Sequence, residues 1–497
     1  MRRSLVEARI PSVRLACANE AELNLKGSFV LYWMTAARRT TWNYALERAA
    51  GLAAELRKPL LIVETLNSGV RWASNRHHAF VLQGMAENKD ACRAKDVRYY
   101  PFVESGRGDA TELISALGAR ACVLVADDFP IRSFAADVSR VAERIDVCTE
   151  RVDSGGLLPM RAADRVFPTA YAFRRFLQQT LPDHLPDAPR KIPLARTELP
   201  RLRSLPREIT QRWPAASSEL LAAGAAALAR LPIDHQVDRV VTLGGTSVAR
   251  KTLKRFVKRK LSSYPEDRNH PDADGTSGLS PYLHFGHISV HEIFRELARA
   301  EGWSPAKLGD KATGKREGWW GMSEAAEAFL DELVTWRELG LNMCCHAENY
   351  DEYDSLPDWA KATLAEHAKD PRQYVYSLEE FEQGGTHDEL WNAAQMQLVR
   401  EGRMHNYMRM LWGKKVFEWS PSARDALDVM IELNNKYALD GQDPNSYSGI
   451  FWILGRYDRP WGPERPIFGK VRYMSSDNTA RKLHLDQYVR TYAPSGT

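Results

Sequence analysis

The chain of 497 residues and 56.3 kDa exceeds the roughly 250–300 residues at which a single hydrophobic core stops growing, so at least two domains are expected. A hydrophobic fraction of 44% and a charged fraction of 27%, with 31 Gly and 26 Pro, exclude a collagen-like or wholly disordered chain. The 68 basic and 64 acidic residues leave a net charge of only +4, so affinity for acidic partners depends on where the basic residues cluster.

Short apolar segments alternate with amphipathic segments between Ser28 and about Glu150. Strands are predicted at Phe29–Trp33, Leu60–Glu64, Val97–Val103, Cys122–Ala126 and Ile145–Thr149. Helices are predicted between them at Trp42–Leu56, Ser74–Arg93, Ala110–Leu117 and Phe134–Ala142. Five strands joined by four crossovers predict a parallel, Rossmann-like α/β sheet with right-handed connections.

The loop Asp127-Asp128-Phe129-Pro130 lies at the carboxyl end of a predicted strand. Ligands of parallel sheets usually bind at this edge. An ordinary strand-to-helix turn is the alternative interpretation, and no G-x-G-x-x-G motif follows the first strand.

Proline becomes too frequent for regular structure between about Leu181 and Pro214, in a segment that begins LPDHLPDAPRKIPLARTELPRLRSLP. Helical patterns predominate after it, at Ser218–Arg230, Val248–Leu261, His287–Arg299, Ser323–Leu341, Asp388–Arg400, His405–Glu418 and Ala423–Tyr437. The sequence therefore predicts an α/β domain at residues 26–180, a connector at 181–216 and an all-α domain at 217–490.

The six cysteines are scattered and contain no C-x-x-C pair, so no metal site or iron–sulfur cluster is expected. No apolar run reaches the ~18 residues of a membrane helix, and the N-terminus lacks a secretory apolar core. We expect reduced thiols in a cytoplasmic protein with no membrane partner.

The segment Arg250–Lys260 carries seven basic residues in eleven, RKTLKRFVKRK. On a helix, Leu253, Phe256, Val257 and Leu261 form one apolar stripe and leave the opposite face cationic. That face could bind phosphates, which would make binding strongly salt-dependent, or it could be merely solvated.

The segment TSGLSPYLHFG, residues 276–286, places hydroxyl groups and a glycine before a Ser-Pro helix start. Free backbone N–H groups at a helix N-terminus can bind a pyrophosphate, although a plain capped helix explains the same pattern.

Further along, Trp412 and Trp419 are one heptad apart, about 10.5 Å along a helix axis. This spacing suits electron hopping, but heptad-spaced aromatic residues also serve in core packing.

Six strings carry a specific resemblance: VLYWMTAARRTTWNYALERAA, GLSPYLHFGHIS, FLDELVTWREL, EGRMHNYMRMLWGKKVFEW, LNNKYALDGQDPNSYSGIFW and FGKVRYM. In this order they resemble the photolyase/cryptochrome superfamily, and closely the class II cyclobutane pyrimidine dimer photolyases, over almost the whole chain. The resemblance implies an α/β antenna-type domain, a long connector and a helical domain that binds FAD. It also implies light-driven repair of dimers in DNA by a monomer, which would associate with the nucleoid when bound.

The resemblance also implies a set of residues that bind FAD. These are Tyr264, Thr276, Ser277, Gly278, Leu279, Ser280, Arg337, Arg409, Asn434, Asp440 and Asn445. Within this set Arg409 and Asp440 match a salt-bridged pair beside the isoalloxazine ring, and Asn434 matches an asparagine that faces flavin N5. An amide can donate or accept a hydrogen bond there, and a helix-end cap is the alternative role for Asn434.

The implied substrate residues are Glu332, Trp336, Trp452, Arg268 and Asn406. Glu332 matches an acid that hydrogen-bonds thymine carbonyls, and Trp336 lies four positions later, on the same face of a helix. Trp452 matches a second aromatic wall, so that a flipped-out dimer would stack between rings. Glu332 could instead be an ion-pair partner of Arg337 or another base.

Trp412, Trp391 and Trp419 match the tryptophans of the class II photoreduction path, with Trp412 nearest the flavin, Trp391 the next hop and Trp419 auxiliary. In class I enzymes the tryptophan nearest the flavin would fall near Gly449. This sequence has no tryptophan there, which supports class II. Whether the protein binds a deazaflavin or folate antenna chromophore stays an open question, because the segment from Thr41 to Leu46 departs from the Asp-Asn-Trp order of many relatives. A cryptochrome-like photoreceptor without repair is the alternative function, and a non-catalytic flavoprotein that binds damaged DNA is a second.

Overall fold

The computed structural model describes residues 10–106, 108–195, 198–483 and 485–494, which form two compact units. The first unit comprises the described residues up to Asp164 together with Thr180–Leu253 and Leu279–Ala300. The second comprises Arg165–Gln179, Lys254–Gly278 and the described residues from Glu301 onward. These units differ from the predicted domain ranges, because residues 217–253 and 279–300 group with the sheet.

The strands are β1 (Leu15–Cys17), β2 (Phe29–Met34), β3 (Leu60–Leu66), β4 (Arg98–Val103), β5 (Ala121–Asp128) and β6 (Thr149–Asp153). The α-helices are α1 (Tyr44–Glu55), α2 (Asn75–Arg93), α3 (Asp109–Gly118), α4 (Arg132–Arg144), α5 (Ala170–Thr180), α6 (Arg207–Arg212), α7 (Ser218–Leu221), α8 (Ala225–Leu228), α9 (Thr246–Arg259), α10 (Tyr264–Asp267), α11 (Ser280–His284), α12 (Val290–Ala300), α13 (Glu324–Leu330), α14 (Arg337–His346), α15 (Asp358–Glu366), α16 (Leu378–Gln383), α17 (Glu389–Glu401), α18 (Asn406–Trp419), α19 (Ala423–Tyr437), α20 (Pro444–Ile453), α21 (Ser476–Leu483) and α22 (Asp486–Tyr492). Short 3-10 turns occur at Ser12–Arg14, Met160–Ala162, Leu181–Asp183, Pro271–Ala273, Pro305–Lys307 and Tyr353–Ser355, and a π-helical segment at Asp331–Trp336.

The sheet of the first unit has the strand order β1-β6-β5-β2-β3-β4. Strands β2 to β6 pair in parallel, which confirms the predicted fold class. The sequence analysis missed β1, an antiparallel edge strand of three residues on β6. The last predicted strand, Ile145–Thr149, is displaced toward the C-terminus, since pairing with β5 begins at Thr149. Every residue of β2 and β3 is buried, as expected for a sheet covered on both faces.

The proline-rich connector packs on the sheet. Leu205, Ile209 and Trp213 are buried in the same apolar cluster as the strands, which explains why this segment groups with the first unit. Arg196 and Thr197 of the connector lie outside the described residues. The helix predicted at Ser218–Arg230 is two short helices, because the backbone of Ala223 turns to a φ of 53°.

The second unit is helical, with one large apolar core formed mainly by α17, α18, α19 and α20. Trp391, Trp412 and Trp419 are buried in it. None of the helices in the described part of the chain combines the length and the apolar character that crossing a bilayer requires.

Candidate functional site

The helix predicted at Ser323–Leu341 is interrupted at Asp331–Trp336 by the wider π-helical turn, a feature often found at functional sites. Within this turn Glu332 and Trp336 are only partly buried, while the three residues between them are buried. Both side chains therefore keep access to solvent, and a shared role in one site stays a prediction.

Glu332 forms an ion pair with Arg268, at 2.5 Å between Oε1 and Nη1. Its side chain retains 31% exposure. Burial raises the pKa of Glu332, and the Arg268 guanidinium opposes this by lowering it. The neighbouring carboxylate of Asp331 is directed elsewhere, to Arg174 and Arg316. Of the two adjacent acids, Glu332 is therefore the more accessible one, and its ion-pair partner is Arg268.

The helix that carries Trp452 is packed close to the continuation of the π-helical segment. α14 begins where that segment ends, and it approaches α20 at Gly340, where a Cβ would lie 2.7 Å from the carbonyl oxygen of Pro444. Trp452, near the end of α20, is partly buried. Asn406 is exposed at the first position of α18. Trp336 and Trp452 thus both belong to the second unit, on helical segments that pack together.

The predicted cofactor residues of the second unit include a salt bridge and a buried amide. Arg409 Nη2 lies 3.2 Å from Asp440 Oδ1, as the resemblance implied. Asn434, with 3% exposure, donates through Nδ2 to Asn435 Oδ1 at 3.1 Å. The backbone N–H of Gln442 donates to the same oxygen at 2.8 Å, which fixes the orientation of the Asn435 amide.

The Oδ1 atom of Asn434 receives no hydrogen bond from any residue in the described part of the chain. The Asn434 amide oxygen can accept a hydrogen bond, so a ligand with an N–H donor fits this position. The isoalloxazine ring of FAD carries an N–H donor, and a guanidinium such as that of Arg409 would suit an electron-rich ring. The residues present therefore fit FAD.

The remaining cofactor residues are dispersed. Arg337 is buried at the start of α14, and Asn445 is exposed near the start of α20. Tyr264 begins α10 and packs edge-to-face against Phe256 and Phe329, where burial raises its pKa.

The segment from Thr276 to Ser280 crosses the boundary between the two units, after Gly278. Gly278 has a φ of 67°, in the region that glycine favours. α11, which follows, has only five residues. Leu279 is buried and Ser280 is exposed. The phosphate-binding role of this segment stays a prediction.

The three tryptophans form a chain of ring contacts. The ring centroids of Trp412 and Trp391 are 6.5 Å apart, and those of Trp391 and Trp419 are 6.0 Å apart. The contact order 412–391–419 is the order that the resemblance implied. Trp419 in turn contacts Tyr376 and His387, at 5.8 and 4.9 Å between ring centroids. Neither residue was predicted from the sequence, because neither lies in a motif that carries the resemblance.

The loop after β5 has a structural role. Asp127 Oδ2 accepts hydrogen bonds from the backbone N–H groups of residues 35–37 at 2.8–2.9 Å, and Oδ1 accepts one from Tyr32. Asp128 pairs with Arg161 and Arg151. The carboxylate of Asp127 anchors the turn after β2, which favours the strand-to-helix interpretation over a ligand site.

The basic helix α9 has the predicted two faces. Leu253, Phe256 and Leu261 are buried, and the cationic side chains on the opposite face are largely exposed. Two of the seven basic residues are engaged in ion pairs, Arg250 with Glu292 and Lys260 with Asp274.

Comparisons with known proteins place these residues in context. The sequence profile of the DNA photolyase family matches residues 30–194. The deoxyribodipyrimidine photo-lyase of Methanothermobacter thermautotrophicus is 35% identical over 97% of this chain and 98% of its own length. The enzyme of that name from Oryza sativa is 33% identical over 93% of this chain and 87% of its own, and that of Potorous tridactylus 32% over 99% and 86%.

Two solved structures share the fold. A class III photolyase from Agrobacterium tumefaciens has a TM-score of 0.65 at 17% identity and covers 95% of this chain and 88% of its own. A cryptochrome from Synechocystis has a TM-score of 0.68 at 14% identity, covering 93% and 88%.

Proposed function

The chain belongs to the DNA photolyase family, and we propose that it splits cyclobutane pyrimidine dimers in DNA with light, by a class II mechanism. The observation that carries this proposal is the π-helical segment, in which Glu332 and Trp336, four residues apart, both stay partly exposed while the residues between them are buried. A pyrimidine dimer offers the matching chemistry, because its two rings can stack on an indole while their carbonyl oxygens accept hydrogen bonds.

The pKa of Glu332 is shifted toward protonation by burial, against the opposing effect of Arg268. Burial raises its pKa, and a protonated carboxyl can donate to a carbonyl oxygen. Arg268 supplies a second donor at the same place and holds the carboxyl group in position. Trp452 would form the opposite wall, and a dimer is easier to flip out than an intact base because it stacks and pairs poorly.

FAD, when bound in its reduced form, supplies the electron that opens the dimer. Asn434 and the Arg409–Asp440 pair would orient the isoalloxazine ring, and residues 276–280 would hold the phosphates. Trp412, Trp391 and Trp419 would carry electrons inward from an external reductant and so return oxidised flavin to the active state. DNA is the expected partner of a monomer.

A light-dependent assay tests the proposal. An oligonucleotide with one thymine dimer is incubated with protein whose FAD has been reduced chemically, in blue light and in darkness. We expect monomers to be restored only in light, and Glu332→Ala to lower the repair yield more than the affinity for DNA, because the acid acts after electron transfer.

The outcomes separate the alternatives. Binding of the dimer without repair in light would identify a non-catalytic DNA-binding flavoprotein. A light-driven flavin response without affinity for the dimer would favour the cryptochrome-like photoreceptor, whose fold this chain shares.

A further inference from the structure

Lys414 is a buried lysine in contact with one wall of the proposed lesion pocket. It lies on α18 with 0% exposure, and its Nζ is 5.0 Å from the centroid of the Trp452 ring. A buried lysine is rare unless its charge is paired. Its position is fixed by the adjacent Gly413, where a Cβ would lie 2.6 Å from Ile453 Cγ1, so that α18 and α20 approach closely.

The ammonium group completes the C-terminal cap of the helix that carries Trp452. The carbonyl of Phe451 accepts from the N–H groups of Leu454 and Arg456, and that of Trp452 from the N–H of Gly455. The carbonyl of Ile453 accepts from Lys414 Nζ at 2.6 Å. A cation at the negative end of a helix dipole is favourable, and this one also lies within cation–π distance of the indole.

Among the described residues, the charged groups that act on Lys414 are Asp458 and Arg472. Arg472 lies over the same indole at 5.5 Å and is paired with Asp458 at 3.0 Å. Burial lowers the pKa of Lys414 to about 7, with Asp458 raising it and Arg472 lowering it. The charge behind Trp452 is therefore close to its titration point near neutral pH.

We propose that Lys414 is a positioning residue of the lesion pocket, which fixes the Trp452 indole from its buried side and places a positive charge behind the ring on which the substrate stacks. This inference rests on the proposed function, since it takes Trp452 as a substrate wall. The charge would attract the carbonyl oxygens of the dimer and would stabilise the negative charge that the dimer acquires after electron transfer.

Two substitutions separate charge from capping. Lys414→Gln keeps a donor for the Ile453 carbonyl but removes the charge, whereas Lys414→Met removes both. Lys415→Met is the matched control, because Lys415 is the next residue, is also buried, and contacts Trp419 and Tyr473 rather than Trp452. Dark binding to a dimer-containing oligonucleotide and to the undamaged oligonucleotide is measured from about pH 6 to about pH 9.

We expect the wild-type preference for the dimer to fall as pH rises through neutrality, since the ammonium loses its proton. Lys414→Gln should weaken dimer binding roughly three- to thirty-fold at the acidic end, with no pH dependence left and no change toward undamaged DNA. Lys415→Met should retain the wild-type profile. If Lys414→Gln has the wild-type affinity and pH profile, Lys414 serves only as a helix cap, and the proposal is overturned.

A DNA-free measurement keeps the inference distinct from the proposed function. In protein labelled at the tryptophan indole nitrogens, the Trp452 N–H resonance, assigned with Trp452→Phe, should titrate near neutral pH in the wild type and not in Lys414→Gln. A resonance that does not titrate in the wild type rejects the inference even if repair occurs. A titrating resonance in a protein that does not distinguish dimers would reject the lesion pocket instead, and with it the inference.

Discussion

The indole rings of Trp391 and Trp412 are nearly parallel, 7° apart, although they lie on different helices. Trp391 Nε1 donates to the carbonyl oxygen of Trp412 at 3.0 Å, and Trp412 Nε1 donates to Gln395 Oε1 at 2.9 Å. Amide oxygens are weak bases, so they do not remove the indole proton from an oxidised ring. A positive charge on either ring would therefore stay mobile, as electron hopping requires.

Replacing Trp412 with Phe should separate photoreduction from repair. Phe fills most of the same space, so the cost in unfolding free energy should be about 1–3 kcal/mol and FAD should still bind. Because Phe is much harder to oxidise, the variant should fail to photoreduce oxidised flavin with an external reductant. It should still repair dimers once the flavin has been reduced chemically.

Trp391→Phe should behave similarly, and Trp419→Phe more mildly if it is auxiliary. Transient absorption after a blue flash measures the tryptophan radical. A radical of undiminished yield and lifetime in Trp412→Phe would show that the heptad pair is packing only.

The Arg268–Glu332 ion pair should control the protonation of the pocket. Arg268 lowers the pKa of Glu332, so Arg268→Met should raise it further above its ordinary value. Infrared difference spectra of the carboxyl band across a pH series would show the shift, with Arg174→Met as control because Arg174 pairs with the adjacent Asp331. An unchanged Glu332 titration would mean that burial alone sets its protonation.

Asp127 should matter for stability rather than for ligand binding. Its buried carboxylate accepts four hydrogen bonds, so Asp127→Ala should lower the unfolding free energy by about 3–5 kcal/mol, and Asp127→Asn, which keeps one oxygen, by less. Urea denaturation measures both. Near-normal stability of Asp127→Ala combined with loss of a bound chromophore would reinstate the ligand interpretation.

Much of the fold was predictable because it depends on periodicity. Strands β2, β3 and β5 are near-continuous apolar runs, and α19 of the second unit carries a clear apolar stripe. β1 was missed because three residues of an edge strand give no pattern. The break at Ala223 was missed because alanine favours helix, and only tertiary structure imposes its positive φ.

The candidate site was predictable only through resemblance, and its internal contacts were not. Arg268 and Glu332 are 64 residues apart, so no local spacing indicates their ion pair. The π-helical turn has the same residue types as an α-helix, and it became visible only through the backbone. Lys414 reads as an ordinary polar residue in WGKK, because nothing local indicates that it is directed into the core.

Two buried histidines should make the first unit sensitive to acid. Burial lowers the pKa of His78 and of His287 to about 3, below their ordinary value of 6.5. Between these values the unfolded chain binds protons that the native protein does not, so stability should fall as pH decreases from about 6.5 toward 3. The expected loss is about 2 kcal/mol for each histidine between pH 6.5 and 5.

Urea unfolding of the wild type and of His78→Asn/His287→Asn at the two pH values provides the comparison. The double variant should be less stable overall but should depend less on pH. Equal pH dependence of the two proteins would assign the acid sensitivity to carboxylates instead.

The exposed face of α9 should contribute phosphate contacts if it meets DNA. Lys254 and Lys258 are exposed, and neither has an ion-pair partner among the residues that the structure describes. Each phosphate contact contributes about 0.9 to the slope of log affinity against log salt, so Lys254→Ala/Lys258→Ala should flatten the slope by about 1.8.

Lys26→Ala/Lys95→Ala removes the same charge from exposed positions of the first unit and serves as control. Fluorescence anisotropy with a labelled undamaged duplex over a salt series measures both slopes. If both double variants shift affinity equally, only net charge matters. If the α9 variant has the wild-type slope, that face is solvated and takes no part in binding DNA.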